Sequence, residues 1–187
     1  MDLRGWDERY RSGARAREDL EAPPNPLLVR IAQELPPGDA LDLACGAGRN
    51  ALWLAGQGWR VTAVDGSAAA IDILRRRAAG RGLTIDARVA DLQAHGYRIE
   101  AARWDFIAIC YYLQLDLIEE AKAGLKPGGV LLVIVHIAEP GEPPTAHRLR
   151  PGELIQRFQG WKILHSFEGK PQDEAHKRAV AEIAAQR

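Results

Sequence analysis

Cysteine, methionine and aromatic side chains are scarce in this sequence, and net charge is absent. Two cysteines, Cys45 and Cys110, stand in 187 residues. They are too few for a disulfide scaffold and lack zinc-ligand spacing, which argues against a stapled secreted domain and a structural metal site. Lys plus Arg and Asp plus Glu number 25 each. So balanced a chain has no electrostatic reach toward nucleic acid. No apolar run approaches the roughly 20 residues of a membrane span. The opening "MDLRGWDERYRSGARARED" is too polar for a secretory signal. Internal repeats and low-complexity linkers are missing too. The expectation is a cytoplasmic, globular protein of one domain over 1–187, with neither membrane nor nucleic acid as partner. Oligomeric state is not legible.

What is there is alternation. Residues 1–25 read as a polar arm. Pro26 opens an amphipathic helix with Leu27, Leu28, Ile31 and Leu35 at helical spacing. The core, 26–137, then alternates apolar strands with helices: "ALDLAC", the helix "RNALWLAGQG", "WRVTAVD", a helix capped by Ser67, "LTIDARVAD", "WDFIAICYY", a helix after Asp116, and "VLLVIVHI" after the turn "KPGG". Continuous apolar strands between amphipathic helices imply a mostly parallel sheet covered on both faces. Residues 138–187 differ. Pro151 and Gly152 open a short helix with Leu154, Ile155 and Phe158. "WKILHSFE" suits a strand with Trp161, Ile163 and Phe167 on one face. "AHKRAVAEIAAQR" is helical by propensity, yet a short link back favours a hairpin.

The chemistry concentrates in "LDLACGAGRN". Gly46, Gly48 and Ala51 satisfy G-x-G-x-x-G/A, and Asp65 follows at the end of the second strand. Alone, this pattern fits a nicotinamide dinucleotide or S-adenosylmethionine. Gly46 permits the tight turn, Gly48 admits close backbone approach, and Asp65 accepts from ribose hydroxyls. Asp42, inside the strand, disfavours a pyrophosphate but helps to anchor an ammonium group. Asp91 closes the third strand, where a carboxylate accepts from an adenine amino group. No Tyr has a Lys four residues on, and about 50 residues after the fifth strand are too few for a dehydrogenase's substrate domain.

Together "LDLACGAGRNALWLA", "VTAVDGS", "VADL" and "LKPGGVLLV" resemble the motif series of class I S-adenosylmethionine-dependent methyltransferases. The flanks "WDERY", "LRPGELIQRFQGWKILHSFE" and "AHKRAVAEIAAQR" resemble the small bacterial tellurite-resistance type. The resemblance implies a Rossmann-like α/β fold whose seven-stranded sheet runs 3-2-1-4-5-7-6. Its C-terminal hairpin is antiparallel, so 178–185 becomes a strand against propensity. It implies S-adenosylmethionine held by Asp42, Ala44, Cys45, Gly46 and Gly48 at its methionine end and ribose, with Asp65 on the ribose. Gly66, Asp91 and Leu92 would meet the adenine, and the Cys110 carbonyl the ammonium group. Tyr111 would face the cleft. Catalytic candidates are Tyr111, His136, His176 and Arg178, with His147 and Arg148 as a further anion-binding pair. Trp6 and Tyr10, spaced i, i+4, share a helical face that forms either a lid over the cofactor or a packing surface. Arg11 has a cleft anion within reach, while Arg15 and Arg17 are solvated.

The function expected is methyl transfer to a small-molecule acceptor, with tellurite, selenite or a thiol as candidates. A general base is not required by such nucleophiles. A nicotinamide-dependent oxidoreductase and a non-catalytic nucleotide-binding module remain as alternatives. "CYYL" stands where base or glutamine methylation would place an Asn-Pro-Pro-Tyr-like tetrapeptide. Cys45 and Cys110 read as two small buried thiols, with a redox pair as the alternative.

Overall fold

The computed structural model describes residues 3–13, 22–139, 141–143 and 145–187, so Arg15 and Arg17 lie outside the described residues. Two compact units make up the chain, one through Arg98 and one from Ile99.

The first unit opens with α1 (Leu3–Arg11) and α2 (Pro26–Gln33). Asn25 caps α2, its side chain accepting from the Leu27 and Leu28 amides, and Pro26 fills the first helical turn, where its missing N–H costs nothing. Then β1 (Asp39–Leu43), α3 (Arg49–Gly56), β2 (Arg60–Asp65), α4 (Ala68–Ala79) and β3 (Ile85–Val89) alternate. The three strands pair in parallel, Leu41 opposite Thr62 and Val64 opposite Arg88. β1 and β2 are buried nearly throughout, as their apolar runs require; β3 alternates and is largely exposed.

Helix α1 is fastened to the start of α4. Ser67 caps α4 through its hydroxyl, which accepts from the Ala70 amide at 3.1 Å. The same hydroxyl donates to Asp7 Oδ1 at 2.8 Å, and Asp7 Oδ1 also accepts from the Ala69 amide at 3.0 Å. Asp7 thus serves as a second N-terminal cap from 60 residues away. Those hydrogen bonds, the Ala69 amide first, hold its carboxyl below the ordinary 3.8. A depressed carboxyl stabilises the fold above its ordinary value and loses that contribution as pH falls through the folded value. Asp7→Ala is expected to cost about 1 kcal/mol at pH 7. Urea titration checks this, and the difference from the parent should shrink as pH falls through and below the ordinary 3.8.

The second unit contains β4 (Trp104–Cys110), α5 (Leu115–Gly124), β5 (Leu125–His136), the short α6 (Glu153–Gln156), β6 (Lys162–Gly169) and β7 (Val180–Gln186). The "KPGG" expected as a turn is drawn into the start of β5, with Gly128 at φ +81° and a register break opposite Trp104–Phe106. From Val130 to Val135 every residue of β5 is fully buried. At about 1.5–3 kcal/mol per large side chain, this run dominates the unit's stability. β4 and β5 are parallel; β7 is antiparallel to both β5 and β6. The seven strands run β3-β2-β1-β4-β5-β7-β6, the order that the sequence resemblance implies. Residues 180–186 form a strand despite their alanines, because β5 and β6 flank them and bury the chain.

One expectation fails at β6. Trp161 lies outside the strand, and Ile163 and Phe167 do not share a face. A bulge between Ile163 and His165 places Ile163 opposite Ala185 and Phe167 opposite Glu182, positions on opposite faces of β7.

Candidate active site

In the first unit the loop after β1 is built from conformations that favour glycine. Ala44, Gly46 and Gly48 all have positive φ, at 55°, 55° and 81°. Gly48 is the N-cap of α3, with no side-chain cap. Asp65, ending β2, closes the loop. Its Oδ2 accepts from the Gly46 amide at 2.8 Å and its Oδ1 from the Ser67 amide at 2.8 Å. Its carboxylate is an acceptor of the kind that a ligand hydroxyl would use.

Beneath this loop lies Asp42, 1 % exposed. Its Oδ2 is buried with no hydrogen-bond partner among the described residues. Burial, then the facing Asp65 charge, pushes its carboxyl up to about 7, against weaker pulls from Arg49 and the Ala51 backbone. A buried carboxylate short of positive charge is a cation-seeking group.

The remaining candidates of this unit divide. Asp91 uses Oδ1 to cap its own turn, accepting from the Gln93 and Ala94 amides at 2.9 and 3.2 Å. Leu92 beside it is buried. A Cβ built on Gly66 would lie 2.4 Å from Leu3 Cδ1, so α1 already fills the space beside this glycine. Tyr10 is buried against Ala47 and Ala70, while Trp6 is 37 % exposed with Arg9 5.2 Å from its ring. Tyr10 therefore packs as core, and Arg11 pairs with Asp7 at 2.8 Å. Cys45 is a buried thiol outside any disulfide, donating to the Gly46 carbonyl at 3.6 Å. Cys110, in the second unit, is likewise outside any disulfide and is partly exposed.

The second unit brings three of its four catalytic candidates together. Tyr111 and His176 stack with ring centroids 3.3 Å apart and planes within 7°. His136, ending β5, lies 5.6 Å from both rings. Burial holds its imidazole below the ordinary 6.5, with the Ala179 backbone pulling the other way. Its Nδ1 is buried and makes no hydrogen bond among the described residues. Tyr111 also has φ +61°, uncommon for a non-glycine residue, and its amide donates to the Ile134 carbonyl.

Sequence reasoning missed the residue that assembles this cluster. Asp173 is 3 % exposed. Its Oδ2 accepts the Tyr111 hydroxyl at 2.8 Å, its Oδ1 the Ala175 amide, and its carbonyl the His176 amide. One aspartate thus fixes both members of the stack. Tyr111→Phe removes the hydroxyl donor to Asp173 Oδ2 and is expected to cost about 1 kcal/mol. A double-mutant cycle with Asp173→Ala, read by chemical denaturation, should return a coupling of about 1–2 kcal/mol. Additive losses would dissolve the pairing.

Arg178 is not part of the ring stack, although its charge also helps to lower the His136 imidazole. Glu142, also missed, accepts from both Arg178 and Arg148, at 3.1 Å to Arg178 Nη2. The Arg178 hydrogen bond is the main cause that holds the Glu142 carboxyl below its ordinary value. His147 is exposed and joins no cluster. Among the described residues no group of three or more His, Cys, Asp or Glu side chains forms a metal site, and no helix is long and apolar enough to cross a membrane.

Residues 40–129 match the family model described as "Methyltransferase domain". These residues form a methyltransferase domain. The chain is 26% identical over 160 residues to the probable S-adenosyl-L-methionine-dependent methyltransferase TehB of Haemophilus influenzae, covering 80% of this chain and 54% of that one. The crystal structure of TehB from Haemophilus influenzae superposes with a TM-score of 0.73 at 25% identity, covering 86% of this chain and 61% of that one. A hemagglutinin 1 of Eikenella corrodens is 31% identical over 142 residues, 71% of this chain and 46% of its own. The chain thus spans about half the length of the curated relatives it matches. The orphaned Asp42 oxygen under the glycine loop fits a ligand that brings positive charge.

Proposed function

We propose that this protein transfers a methyl group from S-adenosylmethionine to a small-molecule acceptor with a soft nucleophile, a chalcogen oxyanion such as tellurite or selenite, or a thiol. The observation that carries the cofactor assignment is the buried, unpartnered Asp42 carboxylate oxygen. A dinucleotide would bring a pyrophosphate to this loop, which a carboxylate repels; S-adenosylmethionine brings an ammonium and a sulfonium. Asp65 and Asp91 supply acceptors for ribose hydroxyls and the adenine amino group, and Ala44, Cys45, Gly46 and Gly48 supply backbone. When bound, the sulfonium provides an activated methyl group and its own leaving group. The chain's part is then orientation and exclusion of water. Tyr111 and His176, locked by Asp173, form a rigid wall. His136, held below its ordinary value, is neutral at pH 7 and able to accept a proton from a thiol. An oxyanion needs no such step.

The resemblance to tellurite-resistance-type enzymes and the TehB matches support the chalcogen reading. The first experiment is thermal melting with S-adenosylhomocysteine, S-adenosylmethionine and NADH added separately. At a hundred times the dissociation constant a ligand stabilises by about 2.7 kcal/mol, a rise of roughly 5–10 °C for a chain of this size. We expect the rise with both adenosyl compounds and none with NADH. A rise with NADH alone would return the loop to a dinucleotide. Product S-adenosylhomocysteine is then followed with tellurite, selenite and thiols in turn.

A further inference from the structure

The second unit holds a groove of about 780 Å³ that none of the site residues above accounts for, apart from Arg148 on its wall. Leu113 and Leu115, just past the carboxyl end of β4, form one apolar side with Leu149 and Pro151. Ligands of open α/β sheets bind beyond this end of the strands. The charged part of the wall is Arg148, Arg150 and Glu153. Glu153 is balanced by Arg157 at 3.5 Å. Arg148 is held by Glu142. Arg150 makes no side-chain ion pair or hydrogen bond among the described residues; its backbone is engaged with Glu153, the amide donating to the Glu153 carboxylate and the carbonyl accepting from the Glu153 amide. The groove therefore carries one cation without a counter-charge, beside a second whose partner is itself shared with Arg178.

We infer that this groove binds the methyl acceptor, and that the acceptor is an organic anion: an apolar body resting on the leucines, with one carboxylate or comparable oxyanion on Arg150 and Arg148. This rests on the small-molecule reading above and, within it, favours an organic thiol over tellurite or selenite. An inorganic oxyanion on the arginines would leave Leu113, Leu115 and Leu149 to water, whereas an organic body covers them. Charge supplies the rest. A carboxylate on Arg148 replaces Glu142 there with a group of the same charge, while Glu142 keeps Arg178.

The test uses the full chain without cofactor. In protein labelled with ¹⁵N, the arginine Nε–H signals are followed while 1-naphthoate, 1-naphthamide or sodium selenite is added. Naphthoate should shift the Arg148 and Arg150 signals saturably, with affinity at least tenfold above neutral naphthamide, the scale of one charge-assisted contact. Selenite should leave naphthoate binding unchanged at equal concentration. Arg150→Met should weaken naphthoate about tenfold or more, and Glu142→Gln should tighten it several-fold by loosening the hold on Arg148. Equal binding of the amide, an unaffected Arg150→Met, or competition by selenite overturns the inference. The thermal shift with S-adenosylhomocysteine separates the two readings. If it persists while naphthoate fails, only the groove assignment falls; if it is absent, the cofactor reading falls first.

Discussion

Asp42→Asn should make the ligand-free protein more stable at pH 8 and abolish its stabilisation by S-adenosylhomocysteine. The buried carboxyl titrates near 7 in the fold and at 3.8 as an ordinary aspartate. Between those values the folded state holds a proton that the unfolded chain releases, so stability falls as pH rises through the window. Above pH 7 the full cost is present, on the order of 4 kcal/mol at about 1.4 kcal/mol per unit. Asparagine keeps the shape and removes the charge. Below pH 4 both side chains are neutral and the melting temperatures should agree. By pH 8 the variant should lead by roughly 5–10 °C, after allowance for burying an amide with an unpartnered atom. The ligand response should move the opposite way, because a neutral amide offers a cationic ligand little. Melts at pH 4, 6 and 8, with and without S-adenosylhomocysteine, read both effects. A variant that melts lower at pH 8 and still responds to the ligand would mean that Asp42 is neither strained nor used.

Gly48→Ala should be strongly destabilising. The backbone there is at φ +81°, and an added Cβ would lie 2.2 Å from Leu74 Cδ1. Leu74 is fully buried, so it has little room to withdraw. Left-handed backbone costs a side chain about 1–2 kcal/mol, and overpacking adds about 1–3 kcal/mol. The total, about 2–5 kcal/mol, is a large share of the roughly 5–15 kcal/mol that holds a domain. Gly58 separates the two contributions. It has φ +88° with nothing near its missing Cβ, so Gly58→Ala should show the backbone cost alone. Chemical denaturation of both variants gives the difference. Equal losses would show that α4 yields and the glycine serves only the turn.

The sheet was legible because its signal is local. Apolar runs such as "VLLVIVHI" need burial on both faces, and Ser67 or Pro26 mark helix starts within a residue or two. The cofactor loop was legible for the same reason: Gly46, Gly48 and Asp65 are spaced by the turn that they build. Asp173 was not. It sits in "KPQDEAHKR", which has no period, and its burial comes from a tyrosine 62 residues away. Glu142 and Asp7 share that character, each reaching side chains or amides that the chain brings near only on folding. The Ile163–Phe167 face was misread because alternation presumes an unbroken ladder, and the bulge inserts one residue without any glycine or proline to announce it.

The placement of β7 between β5 and β6 has a consequence in time. β6 leaves the ribosome before the strand that must separate it from β5. Until residues 180–186 emerge, β5 shows a bare apolar edge that β6 is able to occupy wrongly. At ordinary elongation rates the wait from Gly169 to Gln186 is roughly one to three seconds, far longer than a hairpin needs to form. The register shift in β6 makes it a poorer match for that early pairing, since a bulged strand leaves one residue unpaired against a regular one.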